Sequence, residues 1–329
     1  MSAPLQGPPA PSLPLLLGIG GFGAEVLSRF RTEAMGEILS LDTDRRTGKR
    51  FPNVPFKLIG EPIVKGEGCG GNMNLGRACF RASLEELSML VMNRPLVLMV
   101  CSVEGSTGVA GAVELSTLLR KAGLMFFNVL VLRGSVPSGG AGPRHMASLL
   151  LEGPLSPGAF VDLSQKEQPK GMKGISDIGS LAAALGTILQ CSSRSSVIPV
   201  PDLAWLKLRE DKGPYAISIL SGLDPESWKV GDQKEPVRTP AMMLISIPRE
   251  MSVDEVRALI SKTSQRVEGA DIGLSPRADG GDPVEVLLIM KRPIDLGSGD
   301  LGGAGASETP PQKMELPGDD ILSPNGPRP

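Results

Sequence analysis

The chain has 329 residues, with 34 basic against 36 acidic side chains and a formal net charge of −2. That balance lacks the basic surplus that serves nucleic acid or an anionic bilayer, so neither is expected as a partner. No apolar run approaches the roughly 18 residues that a spanning helix needs, so no transmembrane segment is expected.

Gly (41) and Pro (30) together make about a fifth of the chain, against roughly 12% in an average protein. Many of them must sit in loops, in tails, or where backbone approaches a ligand. Aromatic residues are only 3%, which leaves little for base stacking. Four cysteines without a C-x-x-C and a single histidine, His145, are too few for a zinc site. The first fourteen residues lack a basic start and an apolar run, so a secretory signal is not expected and the cytoplasm is the default compartment.

In chain order, residues 1–12 read as a disordered leader. Residues 13–17 form a short, nearly all-apolar run, as in a strand buried on both faces. It ends in Gly18-Ile19-Gly20-Gly21-Phe22-Gly23, followed by a helix expected over 24–34. A second apolar run, 38–41, closes in Asp42-Thr43-Asp44, and a small strand is expected at 57–59. Gly66-Glu67-Gly68-Cys69-Gly70-Gly71-Asn72 is a second glycine loop. Asn72 or Asn74 is placed to cap a helix that Phe80, Leu84, Leu87 and Val91 mark over 77–92. A strand at 95–101 feeds Gly105-Ser106-Thr107-Gly108, then a helix over 110–122 and a strand over 126–132. Beyond a glycine-rich stretch, 134–143, come at most a short helix at 146–151, a strand at 159–163, and a polar loop at 165–173. The helix expected over 175–190 is apolar on nearly all sides, which places it between two layers. A second unit opens near 197. It holds a strand at 241–247, a helix to about 267 whose start is the capping box Ser252 to Glu255, and a strand at 284–290 after the turn Gly280-Gly281-Asp282. Residues 295–329 are Gly, Pro, Ser and acidic residues, a tail with no reason to fold.

Short buried strands alternating with helices predict a parallel α/β sheet, whose ligand crevice lies beyond the carboxyl ends of its strands. Several of those ends carry glycine loops. Gly20, Gly21 and Gly23 allow close backbone approach, Gly105 and Gly108 permit a tight path, and Ser106 and Thr107 add hydroxyl donors. Backbone amides gathered at helix N-termini make an anion site. There is no G-K-[S/T], so amides rather than a lysine must hold a polyphosphate. Gly18, Gly20 and Gly23 also spell G-x-G-x-x-G, with Asp42 or Asp44 about 20 residues on. An NAD-binding Rossmann enzyme is therefore an alternative reading, though no acid–base pair for its chemistry is evident. A sheet with plain glycine turns is the structural alternative. Three loops favour a larger phosphate cradle than a dinucleotide requires.

In this order the loops resemble the FtsZ/tubulin superfamily. Gly18 to Gly23 is similar to that family's first loop, and Asp42-Thr43-Asp44 stands where it has Asn-Thr-Asp. The run from Gly66 to Arg77 resembles its G-x-G-A-G-A-N-P-x-x-G-R. Glu104-Gly105-Ser106-Thr107-Gly108-Val109-Ala110 is an eroded form of its G-G-G-T-G-[S/T]-G. The resemblance covers most of residues 13–292 and is strongest over the first eighty of them. It implies a nucleotide-binding domain at 13–173, a central helix and linker at 174–196, and a smaller α/β activation-like domain at 197–294. It implies GTP or GDP, with Mg²⁺, held by Gly20, Gly21, Gly23, Asp44, Gly70, Gly71, Asn72, Gly105, Ser106, Thr107, Gly108 and, from the shortened middle segment, Arg144, with Asp162 a further candidate there. It also implies head-to-tail self-association, or association with related filament proteins, in which one subunit covers the nucleotide of the next. A tail that docks on a partner is a further implication. The family's catalytic loop, N-x-D-x-A-D, maps onto residues 199–205. Asp202 takes the first acid position, acting on the neighbouring subunit, and Trp205 replaces the second as an interface or core anchor. Loss of an acid that acts in the transition state weakens turnover more than binding, so hydrolysis is expected to be weak or absent. A scaffold that has lost nucleotide altogether is the remaining alternative. Glu25 and Glu104, close to the loops, would oppose a polyphosphate unless a cation intervenes or they point away.

Overall fold

The computed structural model describes residues 13–30, 36–134, 143–163, 173–193, 196–211, 213–221, 241–266, 269–276, 284–291 and 294. The expected leader and tail, most of the 134–143 and 165–173 stretches, and the Gly280 turn lie outside them.

The first half alternates strand and helix: β1 (Leu15–Ile19), α1 (Gly20–Leu27), β2 (Glu37–Asp42), α2 (Arg45–Arg50), β3 (Phe56–Leu58), α3 (Glu61–Val64), α4 (Met73–Ala82), α5 (Leu84–Val91), β4 (Val97–Ser102), α6 (Ser106–Lys121), β5 (Phe126–Leu132), α7 (Pro143–Glu152) and β6 (Gly158–Asp162). Then come β7 (Lys173–Gly174), α8 (Ile178–Ser192), α9 (Asp202–Glu210), β8 (Pro214–Ser221), β9 (Met242–Ile247), α10 (Val253–Arg266), β10 (Asp271–Pro276) and β11 (Glu285–Lys291). The strands form one sheet in the order β10-β9-β11-β8-β6-β5-β4-β1-β2-β3, with β7 pairing on β8. From β3 through β8 neighbours on this path run parallel, while β11 is antiparallel to both β8 and β9.

The continuous apolar strands are explained by two helical layers. Leu16, Leu98, Val100, Phe127 and Val129 face one side, with Val26 and Leu27 of α1 and Leu181, Leu185 and Ile188 of α8. Leu15, Leu17, Ile19, Val97, Met99 and Leu130 face the other, with Phe80 of α4, Leu87 of α5 and Leu115 of α6. Because side chains alternate along a strand, burial of both faces favours apolar residues at nearly every position. The layer under α8 also takes in Met242, Leu244, Leu287 and Ile289. The central helix thus seals both halves of the sheet, as its all-round apolar sequence requires. Its start is fixed by Asp177, which accepts from Ser180 N while Ser180 Oγ takes Asp177 N. That places the helix over 178–192 rather than 175–190.

Four further expectations shift. The first helix begins at Gly20, four residues early, and the third strand-loop helix begins at Ser106 rather than 110. The expected 77–92 helix breaks at Ser83, which lies between α4 and α5 at φ −104° and accepts the amide of Gly60 on its hydroxyl (3.2 Å). The short helix at 146–151 extends over Pro143–Glu152. Helix α9 and strands β8 and β10 carried no recognised signal. The Ser252 capping box forms as expected, with Glu255 Oε2 accepting Ser252 N at 2.8 Å and Ser252 Oγ accepting Glu255 N at 3.3 Å.

Candidate functional site

The carboxyl ends of β1, β2 and β4 bring three loops to one edge of the sheet, and the loop before α4 closes on them. At the first loop, a Cβ on Gly23 would lie 2.4 Å from the Gly18 carbonyl carbon, and one on Gly18 would lie 2.5 Å from Gly23 O. Glycine at both positions lets α1 sit directly on its strand. Gly20 has φ +75°, and a Cβ there would lie 3.3 Å from the amide nitrogen of Gly108. The first and third glycine loops therefore touch backbone to backbone.

Helices α1 and α6 start at this meeting point. Neither N-cap, Ile19 nor Gly105, supplies a side-chain hydrogen bond, and neither first turn contains an acidic residue. Neither helix carries a counter-charge of its own, although Asp42 Oδ2, bonded to Thr47, stands 3.9 Å from where a Cβ on Gly21 would lie; uncapped amides at helix starts are the arrangement that binds phosphate. The N-terminus of α4 lies alongside, capped by Asn72, whose Oδ1 accepts Leu75 N at 3.1 Å. Gly70 and Gly71, both at positive φ, are exposed, with open space on their Cβ side.

Thr43 joins the loops. Its Oγ1 lies 3.3 Å from Thr107 Oγ1 and accepts the Cys69 thiol at 3.3 Å. Backbone bonds add to the seam, Gly68 N to Thr43 O (3.0 Å) and Arg45 N to Gly66 O (2.9 Å). Thr43 was not singled out from the sequence, although its place between two acids at a strand end was the available signal. Cys69 is buried and serves this hydrogen bond, beyond merely being small.

The carboxylates have definite roles. Asp42 is buried; Oδ1 accepts Thr43 N (2.7 Å) and Asp44 N (3.3 Å), and Oδ2 accepts Thr47 Oγ1 (2.7 Å). Burial raises its pKa against those hydrogen bonds. Asp44 caps α2 through Arg46 N (2.9 Å) and pairs with the Arg46 guanidinium (2.8 Å), which lowers its pKa. Glu25 pairs with Arg133 at 3.5 Å, and Arg133 lies over the Phe22 ring at 5.1 Å. Glu104 Oε1 accepts Gly134 N at 3.2 Å. Both glutamates that stood to repel an anion are thus engaged by the end of β5. Arg144 is held by Asp162, Nη2 to Oδ2 at 2.8 Å and Nε to Oδ2 at 2.9 Å, so the two expected pocket residues bind each other. Arg77 of the second loop motif turns inward to Glu114 at 2.6 Å.

Asp202 lies elsewhere. It opens α9 and, with Pro95 ahead of β4 and Leu124 and Met125 ahead of β5, lines a cavity at the amino ends of the strands. It is exposed at the end of the sheet opposite the glycine loops. Trp205, one turn later, points inward and is only 4% exposed, edge-on to Phe127 at 5.8 Å. Of the two roles expected for it, the ring serves as a core anchor and offers no surface to an interface.

This architecture has known counterparts. FtsZ from M. jannaschii, solved as an empty dimer, superposes with a TM-score of 0.65 over 85% of this chain and 88% of that one, at 19% identity. The chain has the FtsZ/tubulin fold. CetZ2 from Haloferax volcanii, solved as a GTPγS-bound protofilament, superposes with a TM-score of 0.58 over 85% of this chain and 92% of that one, at 15% identity. In sequence, the cell division protein FtsZ of Methanothermobacter thermautotrophicus is 26% identical over 121 residues, 36% of this chain and 31% of that relative. The sequence match therefore spans about a third of the curated relative's length. No protein-family profile matches. In sequence over that third, and in fold over most of its length, the chain is similar to FtsZ and CetZ proteins. No helix among the described residues is long and apolar enough to cross a membrane.

Proposed function

We propose that the chain binds GTP or GDP at the joined glycine loops, associates head to tail, and hydrolyses nucleotide poorly or not at all. The observation that carries the reading is the convergence of the uncapped starts of α1 and α6 on a seam tied by Thr43 and Thr107. Amides of Gly20, Gly21 and Gly105 to Gly108 supply phosphate donors, and the Thr107 hydroxyl adds one more. The choice of guanine rests on the similarity to FtsZ and CetZ relatives. Among the described residues no three His, Cys, Asp or Glu gather into a metal site. Mg²⁺ would accordingly be held through the phosphates and water, the usual habit of that ion.

Asp202 and the glycine loops occupy opposite ends of the sheet, as head-to-tail stacking needs. With position 205 turned into the core, one acid is left to act on a neighbour's nucleotide, which favours slow turnover.

The test is direct. Freshly purified protein is denatured and any released nucleotide identified; emptied protein is then titrated with GTP, GDP, ATP and NAD, with and without Mg²⁺. Guanine-selective binding that Thr107→Val weakens supports the proposal. NAD binding would favour a dinucleotide enzyme, and no binding at millimolar nucleotide would leave a scaffold that has kept the fold alone.

A further inference from the structure

Glu114 is a buried carboxylate within α6, its side chain only 8% exposed. Oε1 accepts Arg77 Nε at 2.6 Å and Oε2 accepts Arg81 Nε at 3.0 Å. The two arginines stand four residues apart on α4, so successive turns of that helix each send one guanidinium to one oxygen. A charge taken out of water persists only where it is paired. What the triad adds to apolar packing is direction. Elsewhere α4 and α6 meet through small residues: a Cβ on Gly76 would lie 2.9 Å from Ala110 Cβ, and one on Gly111 would lie 2.3 Å from Phe80 Cζ. These contacts set how closely the helices approach, and apolar contact is non-directional. A carboxylate with one oxygen for each guanidinium fixes the register of α4 along α6 and its rotation about its own axis.

That register matters because of what Gly76 touches. It precedes Arg77 in the chain, and a Cβ on it would lie 3.6 Å from Ser106 O and 3.7 Å from Cys69 Sγ. Cys69 donates to Thr43, and Thr43 meets Thr107. Arg77 is thus one residue from the point where α4 touches both the 66–72 loop and the start of α6. We infer that Glu114 is a positioning residue for the glycine-loop cradle. Through Arg77 and Arg81 it holds the start of α4 and the 66–72 loop against Thr43 and Thr107, and so, on the nucleotide reading, it sets the affinity for GTP or GDP. Glu114 acts only through the two arginines and the helix that carries them. The 66–72 loop is the part of the cradle that most needs such a hold, since Gly70 and Gly71 are exposed and have nothing within 4 Å on their Cβ side.

The experiment uses the full chain, first without nucleotide. Glu114→Gln keeps the side chain's shape and removes its charge. Amide exchange in residues 66–72 should speed up severalfold, and affinity for GTP and GDP should fall about tenfold. Glu37→Gln, which breaks the ion pair with Arg94 at the amino ends of β2 and β4, should change neither. A triple variant, Glu114→Leu with Arg77→Met and Arg81→Met, replaces the triad with apolar side chains, an exchange that is often neutral or stabilising. Its urea midpoint should match or exceed the parent's, while exchange in 66–72 stays fast and affinity stays low. Parent-like exchange and affinity in Glu114→Gln would overturn the positioning role. The same result in the triple variant would overturn it too, leaving the triad a matter of packing alone. So would exchange that quickens in 66–72 equally in Glu37→Gln, which would mark a general loss of stability. A parent that binds no nucleotide would refute the nucleotide reading, and exchange in 66–72 would still decide whether Glu114 seats the loop.

Discussion

Restoring the missing acid at position 205 is the obvious route to hydrolysis, and the structure predicts that it fails. Trp205 sits on the inward face of α9, 4% exposed, against Phe127, which in turn lies 6.1 Å from the Tyr215 ring. Tyr215 donates to Asp211 O at 2.8 Å and closes the end of the same helix. Truncating a buried Trp to Ala costs roughly 3–5 kcal/mol, and the edge-on aromatic pair contributes about 0.5–1.5 kcal/mol beyond its area. Against a total stability of about 5–15 kcal/mol, Trp205→Ala should lose roughly a quarter or more. Trp205→Asp adds a carboxylate without a partner in that cavity, a further penalty of several kcal/mol or a shift to the neutral acid. Trp205→Phe, which keeps an edge for Phe127, should lose least. Urea unfolding followed by far-UV circular dichroism is the assay, since one of the two tryptophans is removed. The expected order of midpoints is parent, Phe, Ala, Asp, with no gain of GTP turnover in any variant. An Asp variant that unfolds at the parent's midpoint, or that stays soluble and hydrolyses GTP faster, would refute the inward placement of this residue.

Asp42→Asn should remove a pH dependence. The folded pKa of Asp42 is raised by burial, so the folded state holds the proton more tightly than the unfolded chain, whose value is about 3.9. Stability from this group therefore falls as pH rises from about 3.9 through the folded value, and the penalty is complete above it. The Asn variant escapes that loss, so its unfolding midpoint relative to the parent should rise across this window and stay raised at neutral pH. Gly20→Ala places a side chain at φ +75° and 3.3 Å from Gly108 N. It should cost about 1–2 kcal/mol and a larger share of nucleotide affinity, separable by unfolding and by titration. Gly23→Ala meets the Gly18 backbone at 2.4 Å and should fail to yield soluble protein, whereas Gly71→Ala, on the exposed loop with open space, should fold. Thr43→Val removes the acceptor for Cys69 and the partner of Thr107; faster amide exchange in residues 66–72 than in the parent is the readout.

How much was legible follows from which residues are punished for deviation. The strands of the first half read clearly because both faces are buried, so β1, β4 and β5 are nearly continuous apolar runs, interrupted by Ser102 at the end of β4 and by Asn128 of β5, whose amide donates to Ser116 Oγ and Leu155 O. Gly18, Gly20 and Gly23 of loop 1 read clearly because the first atoms a side chain there would meet are backbone. Strand β10 did not read: it is six residues with Gly273 in its middle, and that glycine is there because a Cβ would lie 2.5 Å from Val200 Cγ2 and 3.0 Å from Cys191 Cβ. A tertiary approach between the central helix and an edge strand leaves no local periodicity to find. At the site, the sequence named the two carboxylates but not the groups that engage them. Glu25 and Glu104 look repulsive in one dimension; in three, Arg133 and Gly134, more than a hundred and about thirty residues on respectively, take up their carboxylates. The same holds for Arg144, whose charge is met by Asp162 on the neighbouring strand. The direction of the consequence is specific. If those pairings keep the cradle's mouth free of unbalanced charge, then Arg133→Ala should free Glu25 and weaken nucleotide affinity, while Glu25→Gln with Arg133→Ala should restore much of it. A double-mutant cycle of that form measures the coupling directly. Equal losses in the single and the double variant would mean that Arg133 itself meets the ligand and that Glu25 is a bystander.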